Sequence, residues 1–167
     1  MVYLEVNKKS TSKTVDALNR YLKDARAKLF VLIYMEGCGP CNMTRPEWSK
    51  LTNVLPEAIL KSDTDVIVAI DKDELERFPD IKEANSFPTI RYITDRGDTV
   101  ENYEDSDIAT KDRTVDSFVE WITSKSAGDI RGGKRYTRVT KRRRRGSRKT
   151  AARRKPRRGT RGKRRRS

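Results

Sequence analysis

The acidic residues stop abruptly along this chain, and that boundary limits what it can fold into. The chain has 167 residues, with 39 Lys and Arg and 24 Asp and Glu. All 24 acids lie within residues 1–130, beside 18 of the bases, so this part sums to −6. Residues 131–167 hold the other 21 bases and no acid, a charge of +21. The apolar residues of that segment are Tyr136, Val139, Ala151 and Ala152. So few apolar groups bury too little surface to offset the entropy of ordering the backbone, and the like charges repel one another. Folding is therefore confined to the first part. The chain divides into a domain over residues 1–127 and an Arg/Lys-rich tail over 128–167 that is disordered when unbound.

Within the first part the apolar spacing alternates in type. Val2 to Val6 reads as a short strand. A helix capped at Ser12 then carries Val15, Leu18 and Leu22 on one face. Leu29 to Met35 is an unbroken apolar run, as expected of a central strand covered on both faces. Met43, Trp48, Leu51, Val54 and Leu55 follow with helical spacing, interrupted by Pro46, which is expected to kink the helix. Val66 to Ile70 is a second buried strand, and Asp71 to Asn85 suggests a helix with Leu75, Phe78 and Ile81 inward. Thr89 to Ile93 and Val100 to Tyr103 flank Asp95-Arg96-Gly97-Asp98 as an antiparallel hairpin. Thr114 caps a last helix with Val115, Phe118, Val119 and Ile122 on one face. The expected order is β-α-β-α-β-α-β-β-α. This is an α/β fold with a central mixed sheet of about five strands flanked by helices.

At 34% hydrophobic and 38% charged residues, one modest core is the ceiling. The longest apolar run, Leu29 to Met35, is far shorter than the roughly 20 residues of a membrane-crossing helix. The opening Met1 to Val6 has neither a basic nor a long apolar signal region, so an intracellular, reducing compartment is expected.

The chain's two cysteines are Cys38 and Cys41, and it has no histidine. Such a pair is a structural staple, part of a metal site or a catalytic dithiol. A permanent staple fits poorly with a reducing compartment. A structural zinc takes four thiolate or imidazole ligands, so two thiols require a second copy or carboxylates. No metal and no separate cofactor is expected. At a strand-to-helix junction Cys38 stands at a helix N-terminus, where free N–H groups and the helix dipole favour an anion. That setting lowers a thiol pKa from about 8.5 into the range of about 3.5–7.5. Cys41, one turn on, is within reach of a mixed disulfide formed at Cys38, and Gly39-Pro40 keeps the turn between them tight.

Cys38-Gly39-Pro40-Cys41 after an apolar strand, with Met43 and Pro46 beyond it and Phe87-Pro88-Thr89 later, resembles the thioredoxin family. Tyr103 through Arg113-Thr114-Val115-Asp116, leading into Phe118 to Ile122, is closer to protein disulfide isomerase domains. The resemblance spans about residues 2–125 and implies a thioredoxin fold and thiol-disulfide exchange with disulfide-containing client proteins. It implies that Cys38 and Cys41 are catalytic. Pro88 would be a cis-proline beside them, Phe87 would offer main-chain hydrogen bonds to a client, and Gly39 and Pro40 would complete the client-binding surface. Three positions depart from the family. Gly37 replaces a tryptophan, Leu32 a buried acid, and the acid's lysine partner aligns with Ile67. Cys41 then lacks its expected proton relay, for which Glu36 acting through water is a substitute. With Gly39-Pro40 between the cysteines, instead of the isomerases' Gly-His, no cation stabilises the thiolate, which favours a reductase.

The tail's cationic blocks contain Arg142, Arg143, Arg144, Arg145, Arg153, Arg154, Arg157, Arg158, Arg164, Arg165 and Arg166. Planar guanidinium groups suit bidentate phosphate contact, so DNA or RNA is the expected partner. With Tyr136 as the tail's one ring able to stack on a base, recognition is expected to be indifferent to sequence. A nuclear import signal, anionic lipid and the domain's own acidic runs Asp71 to Glu74 and Glu104 to Asp107 are the competing partners. The composition resembles protamines and histone tails, which implies a protein resident in chromatin or inside a virus particle. The competing function is a structural, DNA-condensing or virion protein whose fold serves as an interaction module. If ten tail cations neutralise phosphates on duplex DNA, log K falls against log salt with a slope of about −9. A chain truncated after Ala127 is expected to lose this binding in filter retention at low salt. Unchanged retention rules out nucleic acid as the tail's partner.

Overall fold

The computed structural model describes residues 1–126, so the tail assigned to 128–167 lies outside the described residues. Five strands form one sheet: β1 (Val2–Val6), β2 (Lys28–Tyr34), β3 (Asp65–Asp71), β4 (Thr89–Thr94) and β5 (Thr99–Asn102). Their spatial order is β1-β3-β2-β4-β5. β3 runs parallel to both β1 and β2, whereas β4 is antiparallel to β2 and to β5. The apolar run in β2 has this central place because both of its faces are covered: every residue from Leu29 to Tyr34 is buried.

Side chains alternate across the sheet and divide the core in two. Phe30, Leu32 and Tyr34 pack with Ile67, Ile90, Trp48, Phe118 and Trp121 on one face. That face is covered by α2 (Gly39–Ser49), the short α3 (Leu51–Val54) and α4 (Glu57–Leu60), and the terminal α5 (Val115–Ser126). Leu29, Val31 and Ile33 pack on the other face with Val15, Leu18 and Leu22 of α1 (Ser12–Lys23), and with Phe78 and Ile81. Edge-to-face rings knit the first layer. Trp121 meets Phe30 at 5.3 Å and Tyr103 at 5.2 Å between centroids, and Trp48 meets Phe118 at 5.0 Å. Such pairs add about 0.5–1.5 kcal/mol each beyond the area they bury.

Several elements differ from the sequence expectation. Residues 71–85 form no α-helix. Two short 3-10 segments, Lys72–Arg77 and Pro79–Ile81, take its place. Pro79 lacks the N–H that would continue a helix, Phe78 before it leaves helical geometry at φ −135°, and Lys82 ends the second segment at φ +64°. Phe78 and Ile81 are nonetheless buried, as the spacing indicated. Pro46 sits inside α2, and the helical run divides only after Ser49, into α3 and α4. Met43 and Val54, expected on the inner helical stripe, are 78% and 49% exposed, whereas Trp48, Leu51 and Leu55 are buried. Ser12 is the first residue of α1, and Thr11 holds the cap position. At the start of α5, Val115 N–H donates to Glu47 Oε2 of α2 at 3.2 Å. Asp112 accepts from the Thr114 amide and hydroxyl and from Ser117 Oγ. The Thr114 and Ser117 hydroxyls lead in holding the Asp112 carboxyl below the usual carboxylate range.

The β4–β5 hairpin forms where expected, one residue earlier in its second strand. Gly97, at φ +88°, lies so close to the 79–81 segment that a Cβ would stand 2.9 Å from the Asp80 carbonyl oxygen. Packing here admits no side chain at that position. In urea denaturation, Trp121→Ala is expected to cost about 3–5 kcal/mol through loss of the rings' shared contacts, and Met43→Ala less than about 0.5 kcal/mol.

Candidate functional site

The cysteines follow directly from the end of β2. Met35 to Gly37 turn the chain, with Gly37 at φ +77°, a conformation that L side chains rarely adopt. Cys38 then caps α2 in extended geometry, and its Sγ accepts from the Cys41 amide at 3.2 Å. Pro40 occupies the first turn of α2, where a missing N–H costs nothing. Cys38 and Cys41 are joined in a disulfide with Cα atoms 5.2 Å apart. Cys38 retains 8% exposure whereas Cys41 has none, so of the two sulfurs Cys38 is the one that solvent reaches. An N–H directed at Sγ favours the thiolate over the thiol.

Opposite the cysteines lies Phe87-Pro88, whose peptide bond is cis. The antiparallel register pairs Thr89 with Ile33, which sets this segment against the end of β2 where the cysteine motif begins. The Phe87 carbonyl oxygen stands 3.6 Å from Cys38 Sγ. In the dithiol form the Cys38 S–H can donate to it, which favours the neutral thiol and opposes the pull of the Cys41 amide. The structure therefore brings Cys38, Cys41, Gly39, Pro40, Phe87 and Pro88 to one end of the sheet. A Cβ built on Gly37 or on Gly39 meets nothing within 4 Å, so the glycines beside the disulfide face open space.

The surroundings of Leu32 are apolar. β2 and β3 pair Leu32 with Ala69 and Phe30 with Ile67, and Leu32, Ile67 and Ala69 share one buried cluster. The row continues to Glu5 on β1, which pairs with Ala69. A cavity of about 300 Å³ opens here, lined by Tyr3, Glu5, Leu32, Asn42, Arg45, Pro46, Ser49 and Ala69. Arg45 spans it, reaching Glu5 Oε1 and Glu36 Oε1 at 3.3 Å each while its guanidinium lies 4.1 Å from the centroid of the Tyr34 ring. Glu36 is thus an exposed partner of Arg45. Burial, and then the charge of Glu5, push the Tyr3 hydroxyl up to about 12. Glu5 and Arg45 were not singled out in the sequence. The signals were a carboxylate two residues after Tyr3 on an otherwise apolar strand and an arginine one turn beyond Cys41. Among the described residues no group of three or more His, Cys, Asp or Glu is arranged to hold a metal ion, and no helix is long and apolar enough to cross a membrane. The tail arginines from Arg142 to Arg166 lie outside the described residues.

A strand, a Cys-Gly-Pro-Cys turn capping a helix, and a cis-proline opposite it define a class of dithiol folds. The thioredoxin family matches residues 9–122, and the chain belongs to that family. No curated protein sequence matches it. Among solved structures it is similar to the J-Trx1 fragment of ERdj5, with 18% identity and a TM-score of 0.50, over 74% of this chain and 51% of that one. It is also similar to human ERp44, with 14% identity and a TM-score of 0.53, over 74% of this chain and 29% of that one. The chain thus spans about half of the first and under a third of the second, and at these identities the likeness is one of fold. After reduction, iodoacetamide is expected to modify Cys38 at least ten times faster than Cys41, as read by peptide mass mapping, because only Cys38 is open to solvent. Equal rates contradict this assignment of roles.

Proposed function

We propose that the domain is a protein thiol-disulfide oxidoreductase, working as a reductase or isomerase on disulfide-containing client proteins. The observation that carries this reading is a cysteine at a helix N-terminus, joined to a fully buried partner and facing a cis-proline segment. In the reducing direction the Cys38 thiolate attacks a client disulfide. One client sulfur leaves as a thiolate and takes a proton from solvent, and Cys38 is left in a mixed disulfide. Cys41, deprotonated, attacks Cys38 Sγ, closes the Cys38–Cys41 disulfide and expels the second client thiolate. The client gains two electrons and the cysteine pair loses two, so a thiol or dithiol reductant must restore the pair. Phe87 and Pro88, with Gly39 and Pro40, form the surface that receives the client chain.

The 21 bases after residue 130 support a second part of the reading: the tail holds this activity on DNA or RNA without sequence preference, in chromatin or inside a virus particle. A structural, nucleic-acid-condensing role with little turnover has its own support in the apolar Leu32–Ala69 pair, which supplies no proton relay to Cys41. Insulin reduction separates the two. The native chain is expected to precipitate insulin in the presence of dithiothreitol at least tenfold faster than Cys38→Ser, and Cys41→Ser is expected to accumulate clients as mixed disulfides. Equal rates for native and Cys38→Ser chains remove the catalytic reading.

A further inference from the structure

Arg91 has no part in the chemistry described so far, yet its setting is unusual. It lies on β4, on the sheet face that otherwise carries Val31 and Ile93, and it is half-buried. Its Nη1 donates to the carbonyls of Ile81 at 3.0 Å and Lys82 at 2.9 Å, and its Nη2 to the carbonyl of Glu83 at 2.8 Å. Nε faces Asn102 Oδ1, across the register on β5, at 3.4 Å. None of these partners carries a charge. The guanidinium is spent on three successive backbone carbonyls, a geometry that its planar fork suits and that a single ammonium does not.

Those carbonyls belong to the segment that leads into Phe87-Pro88. Lys82, at φ +64° and ψ 155°, starts it in a conformation that L side chains rarely adopt, and residues 82–88 contain no helix or strand. Its far end is tied by the Thr89 hydroxyl, which donates to the Ser86 carbonyl. Between these two anchors the packing is apolar: Ala84 and Phe87 rest against the buried cluster on the α1 face. Arg91 thus binds the carbonyls of the segment's near end, beside the amide hydrogen bonds from Ile81 to Phe78 and from Lys82 to Pro79, and the far end presents the Phe87 carbonyl 3.6 Å from Cys38 Sγ.

We propose that Arg91 is a positioning residue for Cys38: by gripping the carbonyls of Ile81, Lys82 and Glu83 it sets the Phe87-Pro88 segment, and with it the carbonyl that faces the nucleophile. This rests on the reading of Cys38 as the attacking thiol. In the dithiol form the Phe87 carbonyl accepts from Cys38 S–H and so favours the neutral thiol. Loosening the segment removes that acceptor, and Cys38 then ionises at lower pH.

The test uses the full chain, reduced, on a Cys41→Ser background so that one thiol titrates. Thiolate absorbance against pH and amide hydrogen exchange by mass spectrometry are compared between Arg91 and Arg91→Met. The expected results are an acid shift of the Cys38 midpoint by about half a pH unit, from loss of one neutral hydrogen bond, and exchange across residues 82–88 at least about tenfold faster with residues 28–34 unchanged. An unchanged exchange rate overturns the clamp. Faster exchange with an unmoved midpoint overturns the link to Cys38, because a purely structural arginine does precisely that much. If Arg91→Met does not fold, Arg91→Lys keeps the apolar stem; the same acid shift, smaller, is expected there, and an unmoved midpoint in that folded variant overturns the proposal. Insulin turnover by the native chain is recorded alongside. Its absence removes the oxidoreductase reading, while the midpoint and the exchange rates still decide the role of Arg91.

Discussion

Burial of β2 on both faces is the constraint on which the rest depends. A strand with Leu29 to Tyr34 all buried has to take a central place, with hydrogen-bonded neighbours on each side. The neighbours run in opposite senses: β3 is parallel to β2 and β4 antiparallel. The chain leaving β2 and the chain entering β4 are therefore at the same end of the sheet. The cysteine motif leaves β2, and Phe87-Pro88 enters β4, so their meeting follows from strand direction. A register slip of one residue would move Leu32 and Ile33 each to the face the other now occupies and exchange the two halves of the core.

Around the sulfurs, short-range dipoles do the work that a charged neighbour does in other dithiol sites. The Cys41 amide at 3.2 Å favours an anion on Cys38, and the Phe87 carbonyl at 3.6 Å favours a thiol. Their balance depends on how firmly each is held. Cys41's amide is fixed by the helix, whereas the Phe87 carbonyl is held through a segment without helix or strand, which gives weight to the three carbonyls gathered by Arg91. Behind the disulfide, the Leu32–Ala69 pair is apolar, and the charges on that side, Glu5, Glu36 and Arg45, are engaged with one another.

How much of this was legible depended on whether local or distant contacts decided it. The strands read correctly within a residue or two: β2 and β3 hold unbroken apolar runs that admit few alternatives, and the hairpin of β4 and β5 was marked by the turn residues between them. Residues 71–85 misled, since Leu75, Phe78 and Ile81 have helical spacing and yet Pro79 divides the segment; two 3-10 turns bury Phe78 and Ile81 as well as a helix would. Met43 misled in the opposite way. Its spacing fits the helical pattern, but α2 turns that side toward solvent because Cys41, Thr44 and Trp48 face the sheet. The resemblance aligned the partner of the family's acid with Ile67, and the register adds that Ala69 is the residue directly opposite Leu32. Glu5, Arg45 and Arg91 were invisible as a group, since each acquires its partners from a distant part of the chain.

By itself the sequence determined which segments are strands and that both thiols lie at a strand-to-helix junction. Apolar runs and a two-residue spacer are local properties and need no partner to be read. Tertiary structure alone decided which carbonyl faces Cys38 and which distant side chain, Arg91, binds the backbone of the segment leading to it. Those outcomes depend on strand order and register, which are set by burying side chains that lie far apart along the chain.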